Sequence, residues 1–137
     1  MRVNLIYIFL LSISAFGQEY FEHSVNGEKV VHTKFRLSYL EDHEQAEWVY
    51  YKLDSLINKG IVNRLDQFRE DTSISTGSAK LSDYKSSGYD RGHLVPAGDM
   101  KSSYTAMSES FLMSNISPQN PSFNRGGWKK LESLVRG

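Results

Sequence analysis

The last third of the chain constrains the fold most, because it changes hydrophobic period three times within a short span. Tyr89 to Pro96, YDRGHLVP, reads as a short strand, and Met100 to Ser108 as a polar connection. Phe111 to Ser117, FLMSNIS, reads as a second strand that Pro118 is expected to end, since proline cannot donate to a ladder. Asn120 or Ser122 can cap a helix starting near Asn124. Trp128, Leu131 and Val135 fall at i, i+3 and i+7, which predicts a buried helical stripe, although Gly126 and Gly127 weaken its first turn. Strand, long connection, strand and helix in that order belong to an α+β fold.

Upstream, Lys29 to Tyr39 (KVVHTKFRLSY) has strand character, Leu40 to Gln45 is charged and turn-like, and Ala46 to Leu53 (AEWVYYKL) is aromatic and β-branched. These predict a hairpin; a helix over 44–56 competes, because Trp48, Tyr51 and Leu56 also fit a helical stripe. Residues 58–89 read mostly as loop, and long loops in compact domains are often functional. No internal repeat or low-complexity tract interrupts the chain, and 137 residues suit one domain.

Apolar residues at 39% and charged residues at 23% describe a globular chain, not a disordered one. The formal net charge is zero, so bulk charge does not point to a nucleic-acid binder. The absence of cysteine excludes disulfides, thiolate metal sites and cysteine nucleophiles. At the N-terminus Arg2 precedes an apolar run from Leu5, and Ala15 and Gly17 stand at the −3 and −1 positions of a cut before Gln18. That layout predicts a signal peptide over 1–17, a domain over 18–137, a secreted or periplasmic location, and no membrane association after cleavage.

Phosphodiester hydrolysis needs a base for water, a cation for the developing charge and fixed positive groups for the phosphate. Asp90-Arg91-Gly92-His93 offers a base that titrates near neutrality beside a guanidinium able to grip phosphate with two parallel hydrogen bonds. Asn124 offers one amide oxygen of the hard type that magnesium accepts while keeping several waters. Glu132, two helical turns further on, can hold a metal-bound water. Each residue also has a plainer reading: an ordinary histidine, a helix-start asparagine, and, for Lys129 and Lys130, a solvated charged face.

Together, SGYDRGHLVPAGDM, FLMSNISPQ and FNRGGWKKLE resemble, in order and spacing, the DNA/RNA non-specific endonuclease family of endonuclease G-like enzymes. RLSY, AEWVYYKL and RLDQFRED extend the resemblance over most of residues 18–137. It implies a ββα-metal (His-Me finger) nuclease fold. It also implies His93 as general base, Asn124 as the direct ligand of magnesium (manganese as alternative), and Arg91 supporting the phosphate or the site geometry. Asn115 would position His93 or substrate, Glu132 would support the metal's waters, Arg136 would contact phosphate, and Arg64 would correspond to a substrate-contacting arginine. DNA and RNA are the implied substrates; oligomeric state is not implied. Family domains continue past the motif helix, whereas this chain ends at Gly137, so the fold is expected to be truncated there.

Two function classes follow: a metal-dependent endonuclease with little sequence preference, and an inactive remnant that binds nucleic acid or is only structural. No base-reading module is visible. No G-x-S-x-G or H-E-x-x-H favours a serine or zinc hydrolase.

Overall fold

The computed structural model describes residues 26–53 and 59–137; the leader expected over 1–17, and Leu56 of the competing helix, lie outside them. The first layer is an antiparallel sheet of β1 (Glu28–Val31), β2 (Phe35–Leu40) and β3 (Gln45–Tyr51), in that order. The expected hairpin between β2 and β3 forms, with the acidic stretch Glu41–His43 as its turn. The single strand expected over Lys29 to Tyr39 is instead two. His32 N–H bonds to Phe35 O at 2.8 Å, and Thr33 gives its backbone N–H and its hydroxyl to the Glu109 carboxylate at 2.8 and 2.9 Å. Strand propensity runs unbroken through HTK, but a carboxylate from a distant helix satisfies the turn's donors and the chain reverses there. The competing helix does not form over residues 44–53, which lie in β3 and its flanks.

Phe35, Leu37 and Tyr39 alternate inward from β2 and meet Val95, Met100, Met107 and Phe111 in the main core. Each such side chain removed from water contributes roughly 1.5–3 kcal/mol. The connection read as merely polar carries a 3-10 turn, Ala97–Met100, and helix α2 (Tyr104–Glu109), capped by Ser103 Oγ accepting from Ala106 N–H. Ala106 and Met107 are its buried face, too short a stretch to show a period. A four-residue helix, α1 (Leu81–Tyr84), interrupts the loop expected over 58–89. Within that loop Arg69 lies parallel to Leu112, with bonds from Arg69 N to Phe111 O at 3.2 Å and from Met113 N to Arg69 O at 2.8 Å.

The second sheet pairs β4 (Asp90–His93) antiparallel with β5 (Ile116–Gln119). The strand expected over Phe111 to Ser117 begins only at Ile116, because Met113–Asn115 is a 3-10 turn closed by Asn115 N–H to Leu112 O at 2.9 Å. Pro118 does not end β5; it lies opposite Arg91, since on an edge strand a proline can turn its nitrogen away from the partner. Asn120 caps the final helical segment, its Oδ1 accepting from Ser122 N–H at 3.0 Å. A π-helical stretch, Phe123–Trp128, then leads into α3 (Lys129–Arg136). The stripe expected to be buried is not: Leu131 and Val135 are each 49% exposed.

Asn115 is fully buried. Its Oδ1 accepts from Val95 N–H at 2.9 Å, and its Nδ2 donates to Val95 O at 3.0 Å and Ser110 O at 2.9 Å. Asn115→Ala orphans three buried backbone groups, each costing about 1–3 kcal/mol. We expect at least about 3 kcal/mol of stability to be lost in urea unfolding; a loss below about 1 kcal/mol would show the groups to be easily rehydrated.

Candidate active site

A strand alternates its side chains, so β4 presents Arg91 and His93 on one face and Asp90 on the other. On the first face His93 packs edge-on against Phe111 at 4.9 Å between ring centroids and against Phe68 at 5.5 Å. The Arg91 guanidinium lies 4.1 Å over the other part of this clamp, the Phe68 ring. Arg64 lies 4.9 Å over Phe111, with its Nε on Asp66 at 2.6 Å. Thus the loop places Arg64 at the same aromatic pair as His93, because the Arg69–Leu112 pairing holds that loop against Phe111.

His93 is 7% exposed, and its Nε2 is buried with no hydrogen-bond partner. Burial first, then the positive charge of Arg64, push the imidazole pKa down from 6.5 to about 3; Asp66 opposes, and Arg91 lowers it further. The ring is therefore a neutral acceptor at physiological pH. Trp128 Nε1 donates to the His93 carbonyl at 3.1 Å and ties the helical segment to the end of β4.

On the other face the Asp90 carboxylate accepts from Asn124 Nδ2 at 3.0 Å and from Arg125 through Nε at 2.8 Å and Nη2 at 2.6 Å. The Arg125 bonds first, then Asn124, lower the Asp90 pKa. Holding Nδ2 on Asp90 fixes the plane of the Asn124 amide and sets its oxygen at the opposite end. The Gln119 side chain packs over Gly92, where a Cβ would stand 2.1 Å from Gln119 Cδ and push that side chain aside. Asn124, Asp90 and Arg91 line a cleft of about 510 Å³ together with Tyr84, Lys85 and Tyr89.

The structure brings His93, Arg91 and Arg64 together around one aromatic pair, and sets Asn124 on the strand that carries His93. Of the two roles expected for Asn115, positioning His93 or positioning substrate, its place suits the first: fully buried, it braces the backbone just after His93. Arg136 is placed otherwise than expected, with Nη1 on the buried Asp99 carboxylate at 2.6 Å, where it anchors α3 instead of facing solvent phosphate. Tyr51 Oη donates to the other Asp99 oxygen at 2.7 Å. Glu132 is half-buried; burial raises its pKa, with Arg136 opposing, Asp99 adding and Arg64 opposing. Sequence reasoning missed Phe68 and Phe111 as the clamp, and Arg125 and Trp128 as ties. Only the period-two alternation of DRGH could have separated Asp90 from His93.

Residues 14–137 match the DNA/RNA non-specific endonuclease family, and the chain belongs to it. It is 43% identical over 111 residues to the mitochondrial nuclease EXOG of Danio rerio, covering 80% of this chain and 32% of that protein. It is 37% identical to a nuclease of Nostoc sp., over 78% of this chain and 39% of that protein. A chain in the crystal structure of the EndoG/EndoGI complex, which concerns EndoG inhibition, superposes with a TM-score of 0.66 at 30% identity, covering 80% of this chain and 47% of that one. The fold is accordingly the ββα-metal nuclease fold, with β4, β5 and the final helical segment as its unit. The chain spans about a third of the length of the curated relatives it matches.

The relatives also correct the expected secreted or periplasmic location. Those from Danio rerio, Mus musculus, Schizosaccharomyces pombe and Homo sapiens are named mitochondrial nucleases. Arg2, Ser12, Ser14 and the lack of acidic residues before Glu19 do not by themselves separate an export signal from a mitochondrial transit segment. Among the described residues no helix is long and apolar enough to cross a membrane.

His93 should remain neutral in the folded protein far below pH 6.5, titrating at about 3. The unfolded chain takes up this proton first, so this residue's effect on stability is unfavourable as pH falls from about 6.5 towards about 3 and absent above that window. Ring-proton chemical shifts of His93 followed by NMR check this; an inflection near 6.5 would show the ring to be hydrated.

Proposed function

We propose that this chain carries the catalytic unit of a divalent-metal-dependent nuclease that hydrolyses phosphodiester bonds of DNA and RNA with little sequence preference. The observation that carries the reading is the buried, neutral, unpartnered His93 Nε2 beside Arg64 and Arg91. A neutral imidazole is the form that can take a proton, and the two guanidinium groups supply the positive charge that a phosphate requires. The family's name and the relatives named as nucleases support the same substrate class.

The donor set fits a hard divalent ion that keeps most of its waters. Among the described residues no group of three His, Cys, Asp or Glu gathers, so a protein cage is not what the site offers. Asn124 offers one amide oxygen, oriented by Asp90. Magnesium fits this donor best, with manganese as the alternative; when bound, such an ion neutralises charge on the phosphate and the leaving oxygen. His93 takes the proton at Nε2 and Arg91 and Arg64 orient the phosphate. Phe68 and Phe111 hold the ring in place by packing on it, and Glu132 would support the waters of a bound metal.

Plasmid nicking with magnesium, and with chelator, tests the reading. His93→Ala should lower turnover by about 10²- to 10⁴-fold while leaving DNA binding nearly unchanged, as expected for a base that acts in the transition state. Asn124→Ala should raise the magnesium concentration needed for half-maximal rate. Undiminished cleavage in excess chelator, or full activity of His93→Ala, would refute it; binding without cleavage would favour the non-catalytic alternative.

A further inference from the structure

The cleft beside Arg91 and Asn124 has a wall to which the chemistry above assigns nothing. Its volume, about 510 Å³, lies in the range of clefts that hold small organic groups, roughly 300–1,000 Å³. That wall comes from α1 and the turn after it, and it is held rigidly. Tyr84 Oη donates to Ile116 O at 3.2 Å, Ser87 Oγ donates to Tyr84 O at 2.9 Å, and Tyr89 N–H donates to Ser87 Oγ at 3.2 Å. Gly88, at φ +83°, makes the left-handed step that brings Tyr89 back to β4. Tyr84 is committed to the core, but Tyr89 is 55% exposed at the cleft and Leu81 is 43% exposed beside it. Lys85 is exposed and lines the same cleft, as does Arg91, so the cleft that holds the exposed Tyr89 ring also carries two cations.

We propose that this wall is a subsite for the nucleotide next to the cleaved phosphate: the Tyr89 ring stacks on its base and Lys85 meets the phosphate beyond it. The inference rests on the nuclease reading for the identity of the strand. A π-face accepts every base, so the subsite adds affinity for single-stranded nucleic acid without reading sequence.

The test is equilibrium binding, by fluorescence anisotropy in chelator, of a short single-stranded oligodeoxynucleotide and of its fully abasic counterpart to the full chain. The full chain should prefer the base-bearing strand. Tyr89→Ala should reduce that preference by roughly 5- to 150-fold, the range of one lost stack, and Tyr89→Phe should keep it. Lys85→Ala should weaken both strands alike and flatten the salt dependence by about 0.7 in log–log slope. Far-UV circular dichroism confirms that each variant is folded. Unchanged preference in Tyr89→Ala, or none in the full chain, overturns the subsite. The readout needs neither His93 nor metal: a chain that binds with the Tyr89-dependent preference but never cuts overturns the hydrolytic reading alone.

Discussion

The antiparallel pairing of β4 with β5 decides where every functional group of this chain stands. Four residues of strand carry a guanidinium and an imidazole on one face and a carboxylate on the other, and the register Asp90 to Gln119 and His93 to Ile116 fixes both faces at once. A slip of one residue would exchange them. Two devices prevent it. The Gln119 side chain lies over Gly92, where any Cβ would collide with it. On the far side Asn115 grips both backbone groups of Val95, two residues beyond His93. Placement of His93 therefore depends on an amide that never meets solvent.

Burial of His93 is a balance of opposed terms. The aromatic clamp removes the ring from water, and a lone polar atom left so, the Nε2, costs on the order of 1–3 kcal/mol. Charging the ring there costs more, because two arginines already stand nearby. The outcome is a neutral acceptor without a protein partner, a state that functional sites retain and cores avoid. The same chain shows the opposite solution at Asp71. Burial alone would raise that carboxyl, but bonds from His32 at 3.1 Å, Ser114 at 2.5 Å and Ser73 N–H at 2.9 Å hold it at about 2. One buried titratable group is fully satisfied and stitches the β1–β2 turn to the loop; the other is left open beside the cations.

What the sequence made legible is local. The strand character of DRGH, the β2–β3 hairpin, the capping choice of Asn120 or Ser122, and the candidacy of His93 and Asn124 all lie in short runs. What it hid depends on contacts distant along the chain. The break between β1 and β2 comes from Glu109, 76 positions from Thr33. The burial of Asn115 and the capture of Arg136 by Asp99, 37 positions away, depend on packing that no period reports. An arginine near a helix end reads equally as a phosphate contact or as an anchor; only the buried carboxylate opposite decides between them.

The helical segment shows why polar ties matter here more than apolar burial. Its apolar residues Leu131, Leu134 and Val135 are exposed within this span, and the contacts that tie it to β4 and the following turn are directional. There are three: Asn124 and Arg125 on Asp90, Trp128 on the His93 carbonyl, and Arg136 on Asp99. The first two end on β4 itself and the third on the turn that follows it. Turning the helix by one residue would break all three, whereas an apolar stripe would tolerate a partial slide. The π-helical turn over Phe123–Trp128 belongs to this arrangement, since its wider spacing sets consecutive Asn124 and Arg125 against a single carboxylate while Trp128 still reaches the strand's other end. Ion pairs of this kind add little net stability, because desolvation offsets their attraction. Their effect is positional: they hold the Asn124 amide at a fixed place relative to the strand that carries His93.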